Sequence, residues 1–453
     1  MNTTLDTTPA GPGLRRAVTG KLLFLFILGD VLGAGIYALV GQLAGEVGGA
    51  IWVPLLVALL LALLTAASYA ELVTKYPKAG GTAVFAQRAF GKPLVSFLVG
   101  FSMLAAGVTS VAGLSLAFSG DYLGALVDLP ALPTALVFLT LVALLNARGI
   151  KDSLRANVVM TVIEVSGLVL IVVLAAVVLG RGEGDPGRVL EFSSTQSPAA
   201  GVLAAAVLAF YSFVGFETSA NLAEEAVDPS RTYPRALFGG LAVAGVVYVL
   251  VGLAVSTAVA PAQIADSDGP LLEVVRVADV GLPGWLYSLV ALIAVANGAL
   301  LTAIMCSRLT YGMATEGLLP PVLGRVLPGR RTPWVAIVVT TIVSMALVLS
   351  GDLATLAATV VLLLLLVFIA TNAAVLVLRR DRVEHRHFRT PAVLPVLGIV
   401  SCVGLLTQQE AGVWLRAGIL LLVGVVLHLI TRRSSRRTAD LRDEPVTRTA
   451  DPR

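Results

Sequence analysis

The chain has 453 residues, of which 57% are hydrophobic and only 13% charged, with a formal net charge of +4. An average soluble domain carries about 25% charged residues, so this composition, with a mean hydropathy of +0.91, excludes a soluble globular protein and identifies an integral membrane protein. The two cysteines, Cys306 and Cys402, fall in different apolar runs. A free thiol behaves there as a small hydrophobe, and neither a redox pair nor a metal site is expected.

Residues 1–21 are polar and basic, with no short apolar core ahead of a cleavage site, so they are expected to form a tail and the first span to stay as an anchor. About twelve apolar runs follow, at 22–42, 50–72, 94–119, 131–147, 156–180, 200–222, 236–259, 284–312, 334–350, 354–378, 392–408 and 413–431. Runs of about 20 residues suffice to cross a ~30 Å hydrocarbon core at ~1.5 Å per residue. Sorting the 32 Lys and Arg by alternate loops puts about 28 on the side of the termini and about 4 on the other. This bias predicts cytoplasmic termini, and the chain is expected in the cytoplasmic (plasma) membrane. The positive charge follows from that topology, so the expected partner is the lipid bilayer and no nucleic acid. The loops are short, and no separate soluble domain is expected.

The first span reads Gly29-Asp30-Val31-Leu32-Gly33-Ala34-Gly35-Ile36-Tyr37. A charge at bilayer depth is costly unless paired or facing water, and each glycine loosens a helix by roughly 1 kcal/mol relative to alanine. Such a segment reads as a broken helix whose freed backbone lines a cavity. The N–H groups of Ala34, Gly35 and Ile36, opening the second half-helix, would then take an anion, and the carbonyls around Val31 and Leu32 a cation. Helix packing is the rival reading, because Gly29 and Gly33 also form GxxxG.

Next, residues 75–90 combine a Pro/Gly turn with an amphipathic segment, as in an interfacial helix. Ser102, Thr109 and Ser110 of the third span offer pocket polarity, although such hydroxyls usually bond back to their own helix. The fifth span carries Glu164. The sixth repeats the pattern of the first in Tyr211-Ser212-Phe213-Val214-Gly215-Phe216-Glu217, with freed carbonyls expected near Val214. Tyr37 and Tyr211 flank the two breaks and could cap a solute. Glu224 and Glu225 fit gate or loop contacts. The segment from Pro261 to Gly284, with Asp266, Asp268, Glu273 and Asp279 among apolar residues, could cover a gate, as could 75–90. Asn297, Thr302 and Ser307 add polarity in the eighth span. His385 and His387 share a loop with five arginines, which suits a solvated face better than a metal site. The run Arg432-Arg433-Ser434-Ser435-Arg436-Arg437 fixes orientation or touches anionic lipid.

Five spans separate the breaks, and an odd-numbered repeat must insert with opposite orientation. Residues 22–180 and 200–378 are therefore expected to be inverted halves meeting at their first helices, with 392–431 outside the repeat and tails at 1–21 and 432–453. Asp30, Glu164 and Glu217 are the carboxylates inside apolar spans, and each could carry a proton or help hold a cation. No cofactor is expected beyond such a coupling ion, H⁺ or Na⁺.

Several ordered motifs resemble the amino acid/polyamine/organocation (APC) superfamily of permeases. They are Gly33-Ala34-Gly35-Ile36-Tyr37 for its GxGI(F/Y) break and Glu71 to Gly81 for ELxxxxPxxGG. Further along stand Gly215-Phe216-Glu217 with Ala223-Glu224-Glu225 for GF(E/D) and AEE, and Ser307-Arg308 through Gly317-Leu318-Leu319-Pro320 for the pattern closing the eighth span. The chain looks most like the cationic amino acid transporter branch and its bacterial relatives. The resemblance implies an all-α, LeuT-like 5+5 inverted repeat with helices 1 and 6 broken, working by alternating access. By analogy, Ala34, Gly35 and Ile36 would take a substrate carboxylate, Val31 and Val214 its ammonium, and Tyr211 would gate the site. One departure stands out: seven residues after Asn157, many relatives have a lysine thought to substitute for sodium, and this chain has Glu164. That carboxylate could bind Na⁺, carry a proton or pair with a cationic substrate.

The expected function is secondary active transport of an amino acid or related organic amine, with proton symport leading and exchange or Na⁺ coupling as alternatives. An intramembrane enzyme would need a catalytic constellation, and the sequence has no HExxH, no diphosphate-binding aspartate pair and no nucleophile with a partnered histidine. A channel would show pore-lining repeats instead of two breaks five spans apart.

Overall fold

The computed structural model describes residues 18–443 except 79, 80, 125, 195, 196, 268, 328 and 331. Most of the N-terminal tail, the last ten residues, Ala79 and Gly80 of the ELxxxxPxxGG match, and Asp268 therefore lie outside the described residues, as do the side chains of Ala34 and of residues 432–443. Seventeen α-helices run in order: α1 (Gly20–Leu32), α2 (Ala34–Val47), α3 (Trp52–Lys75), α4 (Gly81–Phe90), α5 (Pro93–Ser119), α6 (Asp121–Gly124), α7 (Ala131–Arg148), α8 (Ile150–Gly180), α9 (Pro198–Ser212), α10 (Pro229–Ala258), α11 (Pro261–Ala265), α12 (Pro270–Ala278), α13 (Gly284–Thr315), α14 (Trp334–Val348), α15 (Leu353–Leu378), α16 (Val393–Leu406) and α17 (Ala411–Asp443). Among the described residues there is no strand, only the isolated bridges Val18–Ala226 and Gly48–Phe192.

Ten of the helical segments are long and apolar enough to cross a membrane, counting α1 with the start of α2 and α9 with the turn after it as single spans. Two more, α14 and α16, are apolar but have 15 and 14 residues, about 22 and 21 Å. The twelve expected runs are thus ten full-length segments and two short ones. The chain is a multi-pass membrane protein.

Small residues set how closely these helices approach. A Cβ on Gly240 would fall 2.9 Å from the Ile27 side chain of α1, and one on Gly245 would fall 2.4 Å from the Leu59 side chain of α3, so these glycines leave the space on α10 that the two side chains fill. The end of α15 is fixed by charge. Lys75 Nζ donates to the carbonyls of Leu378 and Asp381, each at 2.6 Å, satisfying acceptors that a helix C-terminus leaves free.

The two amphipathic segments are packed on protein. Thr82, Ala83, Phe85 and Ala86 of α4 are buried against α5 and α15, so its apolar face is covered by the bundle. In α12, Leu271, Leu272, Val274 and Val275 are buried, while Glu273 accepts from Gln263 and Ser267, both at 3.2 Å, and from Arg276 at 2.5 Å. α11 rests on α2, where a Cβ on Gly41 would fall 2.9 Å from the Ile264 carbonyl oxygen.

Candidate functional site at two broken helices

The first span parts at Gly33. α1 ends at Leu32 and α2 begins at Ala34, with Gly33 at φ −32°, ψ −164° between them. The sixth span parts at 213–215: α9 ends at Ser212, Gly215 takes φ +128°, and a 3₁₀ turn runs over Phe216–Leu222. That φ favours glycine, which lacks the Cβ that would clash.

The breaks are pressed together. A Cβ on Gly35 would lie 2.7 Å from Ser212 Cα, and one on Gly215 would lie 2.8 Å from the Asp30 carbonyl oxygen. Thr218 Oγ1 lies within hydrogen-bond reach of both Asp30 Oδ2 and the Gly215 carbonyl, and the Gly215 N–H donates to Glu217 Oε2 at 3.0 Å. Tyr248 of α10 ties the two segments from outside. Its hydroxyl reaches the freed Val31 carbonyl and, at 3.1 Å, the Ser212 carbonyl.

Around this junction, Asp30, Val31, Gly35, Tyr211, Val214, Glu217 and Thr302 line one cavity, joined by Ser110 of α5 and Gly298 of α13. The lining holds two carboxylates and no basic side chain. About 40 Å³ of space is open, room for water but far below the ~300 Å³ at which ligand pockets begin.

Other expected residues are placed elsewhere. Ile36 is buried but does not line the cavity, and the backbone of Ala34 opens α2. Tyr37, expected to cap a solute, turns its hydroxyl to the Glu164 carbonyl oxygen at 3.2 Å and its ring towards Tyr287. Glu164 lies outside the cavity lining, within reach of Asn297 at 3.4 Å. Ser102 and Thr109 donate to carbonyls four residues back, each at 2.7 Å, the default for hydroxyls in a membrane helix. Ser307 likewise bonds the Ile304 carbonyl. Both parts of the GxxxG pair are used: Gly33 makes the break, and Gly29 packs against side chains of α8 and α13.

The sequence model of the family described as Amino acid permease matches residues 21–416. The chain belongs to this family. The permease is thus a member of the APC superfamily, a transporter and not an enzyme. It is 28% identical to the branched-chain amino acid permease BcaP of Bacillus subtilis (strain 168), over 95% of this chain and 96% of that one. It is 26% identical to the methylthioribose transporter of the same organism, over 95% and 96%, and 29% identical to the vacuolar cationic amino acid transporter 2 of Arabidopsis thaliana, over 82% and 60%.

Two family motifs do structural work in the permease. Glu71 of the ELxxxxPxxGG match accepts from the Thr390 N–H at 2.8 Å and faces Arg379 at 3.7 Å, which pins the loop between α15 and α16 to α3. Glu225 of the AEE match pairs with Arg308 at 3.3 Å, and its carbonyl accepts from the Val18 N–H at 2.9 Å. This joins the start of the first span, the end of the sixth and the end of α13. Tyr248 and Thr218 escaped the sequence reading. A tyrosine in the middle of an apolar span was the available signal for the first, and a threonine one place after Glu217 for the second.

Proposed function

We propose that the permease carries an amino acid or related organic amine across the cytoplasmic membrane by alternating access. The two five-span halves would move as inverted repeats about the junction of the broken helices, with the termini in the cytoplasm. The observation that carries this reading is the closed junction itself. Two interrupted helices meet, with Val31, Gly35 and Val214 lining the space between them, and that space is too small for a solute until they separate; backbone N–H groups at Gly35 and Ile36 and carbonyls at Val31 and Val214 would receive the solute there. Opposite partial charges a few ångströms apart suit a zwitterion. The Val31 carbonyl is engaged by Tyr248 in the closed form, so an incoming ammonium would displace or share that hydroxyl. Names of relatives that carry branched-chain and cationic amino acids support the amino acid class. Coupling belongs to Asp30, Glu164 or Glu217, with the proton as the leading ion.

Replacing Gly35 by leucine tests the site, because any Cβ there meets Ser212 at 2.7 Å. The expected result is loss of ligand-induced thermal stabilisation across a panel of amino acids and amines, with the protein still monodisperse in detergent. Tyr211→Ala, a milder change in the same cavity, should weaken the response and leave the fold. Unchanged affinity in both variants returns the first break to a packing role.

A further inference from the structure

Among the described residues, Glu164 is the buried carboxylate that neither lines the central cavity nor faces an arginine or lysine. It stands midway along α8 with no exposed surface, and no described ion pair includes it. Asn297 of α13 donates to Glu164 Oε2 at a long 3.4 Å and to Thr161 Oγ1 at 3.2 Å, and Thr161 donates to Asn157 Oδ1 at 3.1 Å. Three atoms of this cluster have no partner: Glu164 Oε1, Asn297 Oδ1 and Asn157 Nδ2. α1 seals it, for a Cβ on Gly29 would fall 2.1 Å from Thr161 Oγ1, 2.8 Å from Asn157 Oδ1 and 2.9 Å from Asn297 Nδ2. The titratable groups facing Glu164 are Asp30 of α1, Tyr248 of α10 and Tyr37 of α2. None of them carries a positive charge.

We propose that Glu164 is the residue that carries the coupling proton, and that the closed conformation holds it as the carboxylic acid. This rests on the reading of the chain as an alternating-access carrier. An ionised carboxylate sealed from water with one long hydrogen bond is strongly disfavoured. One proton removes that charge and supplies a hydrogen to a cluster with two unpartnered acceptor oxygens. α1 lies so close that even a Cβ on Gly29 would overlap Thr161 Oγ1, and a proton, unlike a sodium ion, needs no added space. Asp30 and Glu217 differ: both line the cavity, and each already has a donor, in Thr218 and the Gly215 N–H.

The cycle balances simply. Hydronium on the side of higher proton concentration gives its proton to the carboxylate, forming the O–H at Oε1 and leaving water. When α1 leaves α8 and water reaches the cluster on the far side, that bond breaks, the proton departs as hydronium and the carboxylate returns. Gly29 lies about one helical turn before the break at Gly33, so the helix that seals the cluster also carries half of the solute site.

The test uses the whole protein in liposomes with labelled leucine and labelled lysine. Glu164→Gln should keep counterflow but lose accumulation driven by an imposed proton gradient, while Glu164→Asp, which retains a carboxyl, restores it. Without any solute, infrared spectra of the wild type should contain the carbonyl band of a protonated carboxylic acid that Glu164→Gln lacks. Proton-driven accumulation by Glu164→Gln equal to wild type, an unchanged infrared band, or accumulation driven by sodium at equal pH would each overturn the proposal. Absence of counterflow by the wild type with every amino acid and amine would overturn the carrier reading instead, and the infrared result would still decide the protonation of Glu164.

Discussion

Tyr248 shows how much one side chain can hold at the junction. Its single hydroxyl serves two carbonyls that the broken helices leave free, on segments 181 residues apart in sequence (Val31 and Ser212). Tyr248→Phe should leave at least one buried acceptor unsatisfied, costing about 1–3 kcal/mol, and lower the apparent melting temperature in detergent. If solute ammonium competes with that hydroxyl, the same variant should also change apparent affinity. A variant matching wild type in both properties would remove Tyr248 from the account. The break itself was legible in the sequence because its cause is local: glycines and a carboxylate within nine residues. The partners of Tyr248 and Glu164 were not, since their contacts join residues 36 to 217 positions apart, where no local pattern reports register.

Helix ends are where single elements can be tested. Asp352 caps α15, accepting from the Thr355 N–H at 2.8 Å, and this bond is the main cause holding its carboxyl below the usual range. A depressed folded-state value means that the stabilisation is full above the unfolded value, about 3.9, and is lost as pH falls through the folded one. Asp352→Ala should therefore lower the melting temperature at neutral pH, by the ~1 kcal/mol typical of a lost cap, and by progressively less at strongly acidic pH. A difference independent of pH would contradict the cap. The other end to probe is the enclosed pair Glu225–Arg308. Removing one partner of a buried pair leaves a charge unmatched, at about 3–5 kcal/mol. Arg308→Gln should thus destabilise the protein and raise labelling of a cysteine placed at Val18, and the exchange Glu225→Arg with Arg308→Glu should recover part of both. Equal labelling in all three would mean that the pair does not hold this end closed. Hydropathy located the spans, but its runs at 334–350 and 392–408 overran α14 by two residues and α16 by three.

Across the whole molecule, the account depends on two halves moving about one junction. Composition and the spacing of the two breaks made a membrane carrier legible before any coordinate was known, because lipid forbids irregular backbone except where it lines a cavity. What lay beyond the sequence was which polar residues share that cavity. Ser110 and Thr302 line it, while Ser102, Thr109 and Ser307 satisfy their own helices, a choice set by helix rotation. The most direct measurement is uptake of labelled amino acids and amines into proteoliposomes under separate H⁺ and Na⁺ gradients. The account predicts saturable, concentrative uptake of at least one such solute, driven by the proton gradient and abolished by Gly35→Leu. Flux that never exceeds equilibrium and rises without saturation, or uptake untouched by Gly35→Leu, would contradict it.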